Sequence, residues 1–339
     1  MNPLQPAAGA AQRPANSDRS APMPVTTTGP LFIVFNLGSG SGDEARARTA
    51  VQQACDSAGR AFELIGVNDA RQLPALARQA VQRAQQAHGV VVAAGGDGTL
   101  NAVAQAVLGS GCAFGVLPQG TFNYFSRTHG IPSDSAEAMQ VLLQASAKPA
   151  QVGLVNGRVF LVNASLGLYP KLLEDREAWK QQLGRSRLVA FGAGLATLLR
   201  GYRSLRLRIG VQGVARNVRT PTLFVGNNAL QMEQLGFPLA KDIDGGALAA
   251  IMLRPVSRLS MLALLLRGAF GKLGDADQVM AIPCKQLQVH AARAFGPRRV
   301  QVATDGEIVW LPMPLEFAVS DEPLWLIRPD TPAPERVAA

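Results

Sequence analysis

Short apolar runs alternate with amphipathic stretches over the first half of the chain. Leu31 to Phe35 reads as a buried strand, Asp43 to Ser57 as a helix, Ala61 to Gly66 as a second strand and Ala70 to Ala87 as a second helix. Gly89 to Ala94 follows as a strand, then a helix from Thr99 to Leu108, then a strand from Ala113 to Leu117. Strand and helix in strict turn predict a mainly parallel sheet with helices on both faces, a three-layer α/β domain. After about Lys148 the rhythm changes. Val152 to Val155 and Val159 to Asn163 flank Asn156-Gly157, a strong hairpin signal between apolar runs. A long helical stretch, Leu172 to Arg200, precedes further strands: Leu205–Val211, Val214–Arg219, Thr222–Val225, Leu248–Leu253, Leu287–His290, Arg299–Ala303 and Leu315–Val319. Many short strands with Gly and Pro between them predict an antiparallel β-sandwich.

The predicted organisation is therefore an α/β domain over residues 29–148 and a β-sandwich domain over 149–320. A short segment at 321–329 and polar tails at 1–28 and 330–339 complete it. The opening tail is rich in Ala, Pro, Ser and Thr and lacks the continuous apolar core of a secretory signal. No run of 18 or more apolar residues occurs. The longest apolar candidate, Leu259 to Phe270, is about one third short of a bilayer span and contains Arg267. Its stripe of Leu259, Leu262, Ala263, Leu266 and Phe270 suits an interfacial helix or an ordinary core-facing one.

The chemistry concentrates at strand ends. Gly95-Gly96-Asp97-Gly98-Thr99-Leu100-Asn101 joins the apolar run ending at Ala94 to a helical pattern. Glycine strips side chains from such a turn, so backbone amides at the positive end of a helix can approach phosphate oxygens. An Asp inside that turn repels a polyphosphate unless a cation lies between them, which points to a magnesium nucleotide. The run is neither the dinucleotide fingerprint G-x-G-x-x-G nor the P-loop, since no Lys follows. Asn36 to Gly40 and Pro118 to Thr121 also follow strands directly, so all three loops converge on the carboxyl edge of one sheet, where α/β proteins bind ligands.

The run Gly95 to Asn101 resembles the G-G-D-G-T-x-N signature of the diacylglycerol kinase catalytic family, which includes bacterial lipid kinases and sphingosine kinases. Asn36-Leu37-Gly38-Ser39-Gly40 resembles the family's N-P-x-S-G turn, and Pro118-Gln119-Gly120-Thr121-Phe122-Asn123 its P-x-G-T-x-N. Asp244-Gly245-Gly246 and Asp305-Gly306-Glu307 follow in register with its D-G and D-G-E turns. The resemblance spans about residues 30 to 328. It implies an ATP-dependent lipid kinase that phosphorylates the hydroxyl of diacylglycerol or a related lipid alcohol. It further implies that the strand Leu324 to Ile327 returns to the first domain. Two departures stand out: Ala102 where the family has Glu after the first motif, and Tyr124 where it has Asp after the second.

Carried over residue by residue, the resemblance places Gly95, Gly96, Asp97, Gly98, Thr99 and Leu100 around the ATP phosphates, with Asn36, Asn101 and Thr121 lending hydrogen bonds. Asp97 also stands beside the catalytic magnesium, and Glu307 is the general base. Asp305 supports its turn. Asp244, with the carbonyls of Lys241 and Gly246, is a structural magnesium site. His88, His129 and His290 show no catalytic spacing, and no G-x-S-x-G elbow is present. The competing readings are a kinase for a soluble alcohol or NAD, and a nucleotide-binding regulator without turnover.

Charge and cysteine content refine the picture. The 33 basic and 24 acidic residues leave a net charge of +9, which favours anionic partners such as acidic headgroups. Nucleic acid is disfavoured because no aromatic platform interleaves with the basic residues. Three widely spaced cysteines without C-x-x-C spacing argue against both a disulfide framework and a zinc site. The expectation is a cytoplasmic protein, peripheral to the inner face of the cell membrane, that meets its lipid substrate at a membrane surface. A homodimer is left open.

Overall fold

The computed structural model describes residues 25–36, 41–120, 122–168, 204–211, 213–257, 276–292 and 298–330, with isolated positions between 260 and 274. The helix expected over Leu172–Arg200, most of Ser257–Phe270, the turn at Leu37–Gly40, Thr121 and most of both tails lie outside the described residues.

The first domain is built on a six-stranded sheet, sheet A. Its strands are β1 (Leu31–Asn36), β2 (Phe62–Val67), β3 (Val90–Gly95), β4 (Ala113–Pro118), β5 (Ala147–Ala150) and, from the far end of the chain, β18 (Leu324–Ile327). Their order is β2-β1-β3-β4-β18-β5, parallel throughout except for the β18–β5 pair. Every residue of β3 and β4 is buried, which is why these strands are continuous apolar runs rather than alternating ones. Helices α1 (Ser41–Ala58), α2 (Leu73–Ala87), α3 (Asp97–Val107), α4 (Tyr124–Thr128) and α5 (Ser135–Gln144) join and cover them. In α2 the buried positions Leu73, Ala77, Ala80, Val81 and Ala84 trace one face at helical spacing. Asp134 caps α5 by accepting from the amides of Ala136 and Glu137.

The second domain stacks two antiparallel sheets. Sheet B runs β10 (Val214–Thr220), β9 (Leu205–Val211), β14 (Gln286–Ala291), β17 (Leu315–Val319), β6 (Gly153–Val155), β7 (Arg158–Phe160). Sheet C runs β13 (Val279–Cys284), β12 (Leu248–Leu253), β11 (Thr222–Gly226), β8 (Asn163–Gly167), β15 (Arg299–Thr304), β16 (Glu307–Pro312). Val155, Phe160, Leu166, Leu223, Leu287, Val302 and Phe317 fill the space between them, and Phe160 meets Phe317 edge-on at 6.4 Å. Asn156 and Gly157 both take positive φ, as a two-residue hairpin turn requires. Strands β5, β13 and β16 were not expected from the sequence, and β8 begins at Asn163, where the second hairpin strand was expected to end.

The two domains share a core. Val152, Val159, Leu161 and Val162 pack into the same apolar cluster as the strands of sheet A. Strand β7 is the edge of sheet B, and α3 completes it. The amide of Val159 donates to Gln105 Oε1 at 2.7 Å, and Asn101 Nδ2 donates to the Val159 carbonyl at 2.8 Å. Asn101 and Gln105 are four residues apart on one helix face, so a single face of α3 satisfies both groups of an open strand edge. Among the described residues no helix is long and apolar enough to cross a membrane. The three cysteines are buried and unbridged.

Candidate active site

The glycine turn closes tightly because of what surrounds each glycine. A Cβ on Gly95 would sit 2.6 Å from Thr99 Oγ1, the same oxygen that accepts from Asn36 Nδ2 at 3.1 Å. Asn36, at the end of β1, therefore braces the first turn of α3 from the neighbouring strand. A Cβ on Gly120 would lie 2.8 Å from Asn123 Oδ1 and 3.0 Å from the Cα of Gly96, so two loops approach backbone to backbone. Asn123, in the left-handed region at φ 48°, closes the second loop: its Oδ1 accepts from Gly120 N and its Nδ2 donates to Gly120 O. Gly96 stands at the N-cap of α3 without a side chain to cap it, and Gly95 O accepts from Gln119 N at 2.9 Å. The positive end of α3 is thus presented by bare main chain.

Asp97 is the first residue of α3, and its Oδ1 is buried without a hydrogen-bond partner. Burial, with Asp305 nearby, pushes its pKa up to about 6, while the backbone amides of Phe125 and Tyr124 pull the other way. Asp305 comes from the other domain. Its Oδ2 accepts from Leu161 N and from Asn101 Nδ2, both at 2.7 Å, and its Oδ1 accepts from the amides of Val162 and Asn163, both at 2.9 Å. Burial raises its pKa and these four donors oppose the rise. The residue sits at φ 48° in the turn that begins β16.

Two residues later Glu307 reaches the glycine turn. Its Oε1 lies 2.8 Å from where a Cβ on Gly98 would be, so an alanine at 98 would displace that carboxylate from this position. Arg158 Nη2 is 3.9 Å from Oε2. The side chain is 52% exposed, a carboxylate at the lip of the cleft rather than under it. Partial burial raises its pKa, Arg158 lowers it, and Asp305 adds a smaller upward push.

The structure thus brings Asn36, Gly95, Gly96, Asp97, Gly98, Thr99, Leu100 and Glu307 to one edge. Leu100 is fully buried and contributes packing. Asn101, expected to bond phosphate, instead commits its amide nitrogen to Val159 and Asp305. Tyr124 stacks on the half-exposed Phe122, with ring centroids 6.0 Å apart, and Ala102 packs against the first core. The turn at Asp244 is separate. The Lys241 carbonyl accepts from Gly245 N at 2.9 Å, Asp244 is exposed, and no cluster of three or more His, Cys, Asp or Glu fit to hold a metal occurs among the described residues. Arg158 and the Tyr124–Phe125 amides are site groups that sequence reasoning missed; no motif marks them.

Two family models divide the chain between them: the diacylglycerol kinase catalytic domain matches residues 30–155, and the YegS C-terminal NAD kinase beta sandwich-like domain matches 176–328. Over residues 30–155 the chain is thus similar to the diacylglycerol kinase catalytic domain. A Pseudomonas aeruginosa relative named "Probable lipid kinase YegS-like" is 35% identical over 167 residues, 48% of this chain and 52% of that protein. The diacylglycerol kinase of Bacillus subtilis is 35% identical over 121 residues, 34% of this chain and 40% of its own length. The chain thus spans about half the length of the curated relatives it matches. A crystal structure of a diacylglycerol kinase from Bacillus anthracis superposes with a TM-score of 0.64 at 18% identity, covering 89% of this chain and 97% of that one. That likeness shows the same fold over both domains.

Proposed function

We propose that the protein is a phosphotransferase that moves the γ-phosphate of ATP to the hydroxyl of diacylglycerol or a related lipid alcohol. The observation that carries this reading is Glu307, brought from the C-terminal half to within contact of Gly98 on the glycine turn. A nucleotide suits the site because main chain at Gly95, Gly96 and Gly98 is bare at the head of α3. A divalent cation suits it because Asp97 holds a buried carboxylate oxygen that no other described residue satisfies. When bound, magnesium supplies the charge neutralisation that phosphoryl transfer requires.

The protein's own groups do the rest. Amides of the turn bind phosphate oxygens, and Asp97 holds the cation or its waters. The Glu307 carboxylate, at the lip where an acceptor enters, takes the proton of the attacking hydroxyl. Arg158 favours the ionised form of Glu307 against the burial that opposes it. Asp305 and Asn101 position the turn and touch neither reactant. The likeness to lipid kinases supports the acceptor class.

The test is incubation of the purified protein with labelled ATP, magnesium and a panel of lipid alcohols. The expected result is a phosphorylated lipid from at least one, abolished by Glu307→Gln. Failure with every lipid overturns the reading, and binding of magnesium-ATP without any product supports a regulator instead.

A further inference from the structure

The outer face of sheet B has two unlike ends. Near β6 and β7 it is covered, because Leu154 and Val159 pack against the first core. Across β10, β9 and β14 it is open: Arg206, Arg208, Asn217, Arg219, Gln288 and His290 are all exposed. The register sets Arg206 directly opposite Arg219 and His290 directly opposite Arg208. Directly opposed residues of an antiparallel pair have Cβ atoms about 5 Å apart, so two guanidinium groups confront each other, with a third two residues along the same face.

Like charges opposed across strands destabilise a sheet. Among the described residues nothing offsets them. None of these arginines joins an ion pair among the described residues. The nearest acid on the face, Glu316, lies two strands from β9, about 10 Å away by strand spacing. Guarding a sheet edge explains a charge such as Arg216 on the edge strand β10. It does not explain Arg206 and Arg208, since β9 is flanked on both sides by β10 and β14.

We propose that this open face docks the protein on an anionic lipid bilayer, with Arg206, Arg208 and Arg219 on headgroup phosphates. The choice of a bilayer rests on the proposed lipid acceptor and on charge complementarity, since the chain carries a net +9 and this face gathers unpaired cations with no acid among them. A nucleic-acid partner fits less well, as the open end presents no Phe, Tyr or Trp for base stacking.

The experiment is co-sedimentation of the full chain with vesicles of phosphatidylcholine alone or mixed with phosphatidylglycerol. Wild type is expected to bind the anionic vesicles only, and to release them as salt is raised. The triple variant Arg206→Gln, Arg208→Gln, Arg219→Gln is expected to bind about a hundredfold more weakly, one third of that logarithm coming from each charge. A charge-matched control, Arg78→Gln, Arg254→Gln, Arg298→Gln, retains most of the binding. Arg219→Glu separates docking from folding, since it sets an acid opposite Arg206: thermal stability rises while vesicle binding falls. Equal loss in face variant and control, no binding by wild type, or loss of nucleic-acid binding in place of vesicle binding would each overturn the proposal. Phosphorylation of a detergent-dispersed short-chain acceptor is unchanged in the triple variant. If wild type binds vesicles through this face yet phosphorylates no lipid, the acceptor reading fails and the docking surface stands.

Discussion

Replacing Asp97 with Asn should make the protein more stable and inactive. The carboxylate is held near Asp305 with one oxygen buried and unpaired, and its pKa rises from 3.8 to about 6. A shift of about two units at about 1.4 kcal/mol each gives about 3 kcal/mol against the ionised form, or about 2 kcal/mol once the residue's partial exposure is allowed for. The sign follows from linkage. A group whose folded pKa is raised costs nothing below its unfolded value and its full penalty above the folded one. The advantage of Asp97→Asn is therefore complete above about pH 6 and gone below about pH 3.8. Thermal unfolding without magnesium or nucleotide reads it as a rise of roughly 3 °C at pH 7.5. The same scan at pH 3.5 should show no difference. An unchanged midpoint at pH 7.5, or a gain that persists into acid, would refute the electrostatic account. Retained phosphoryl transfer would refute the assignment of Asp97 to the reaction.

Four further outcomes are expected. Glu307→Gln lowers transfer about 10²–10⁴-fold with magnesium-ATP affinity and thermal midpoint unchanged, measured by labelled-phosphate assay and calorimetry. Gly98→Ala, inside α3, adds up to about 1 kcal/mol of helix stability. It also drives the Glu307 carboxylate off the turn, so activity falls while the unfolding midpoint in urea does not. Asn101→Ala removes donors to Val159 O and to the Asp305 carboxylate and costs about 2–4 kcal/mol in urea unfolding. The fourth concerns His129, packed edge-on against Phe125 and beside Arg328, with its pKa pushed down to about 3. A lowered folded value means stability present above the unfolded pKa of about 6.5 and lost as pH falls toward 3, at up to about 1.4 kcal/mol per pH unit. His129→Phe should flatten that acid limb in pH-dependent unfolding, and an unaltered slope would assign the acid sensitivity elsewhere.

The elements legible in the sequence are those whose burial leaves a mark on composition. Strand β3 is apolar at nearly every position because both its faces are covered, and the hairpin at Asn156-Gly157 announces itself through residues that tolerate positive φ. Apart from β8, a central strand of small and polar residues that was read as the end of the preceding hairpin, the strands that escaped notice share a different history. β5, β13 and β16 all lie at sheet edges, and each contains a proline, at 149, 283 and 312. An edge strand needs only one row of hydrogen bonds and can leave a face in water, so it tolerates Pro and shows weak alternation. For the site, the glycine turn was readable because its conformational demands are local. The partners of Asn101 were not, since Asp305 is 204 positions away.

That long-range hydrogen bond decides what the cleft is. Asp97 and Glu307 come from different domains, and nothing near either in sequence sets their separation. The connection runs through Asp305, whose four bonds lock the turn to Leu161, Val162 and Asn163 on one side and to Asn101 on the other. Asn101 stands one helical turn beyond Asp97, and Glu307 follows Asp305 by two residues in the strand that the turn begins. The same amide that docks α3 against β7 therefore fixes how far Glu307 stands from the glycine turn. A loosening of the domain contact of even 1 Å moves Glu307 relative to Gly98, and misplacement of that size costs about a hundredfold in rate. If Glu307 acts on the substrate as proposed, interdomain packing is part of the catalytic geometry, and Asn101 of the glycine-turn motif serves it from within the domain interface.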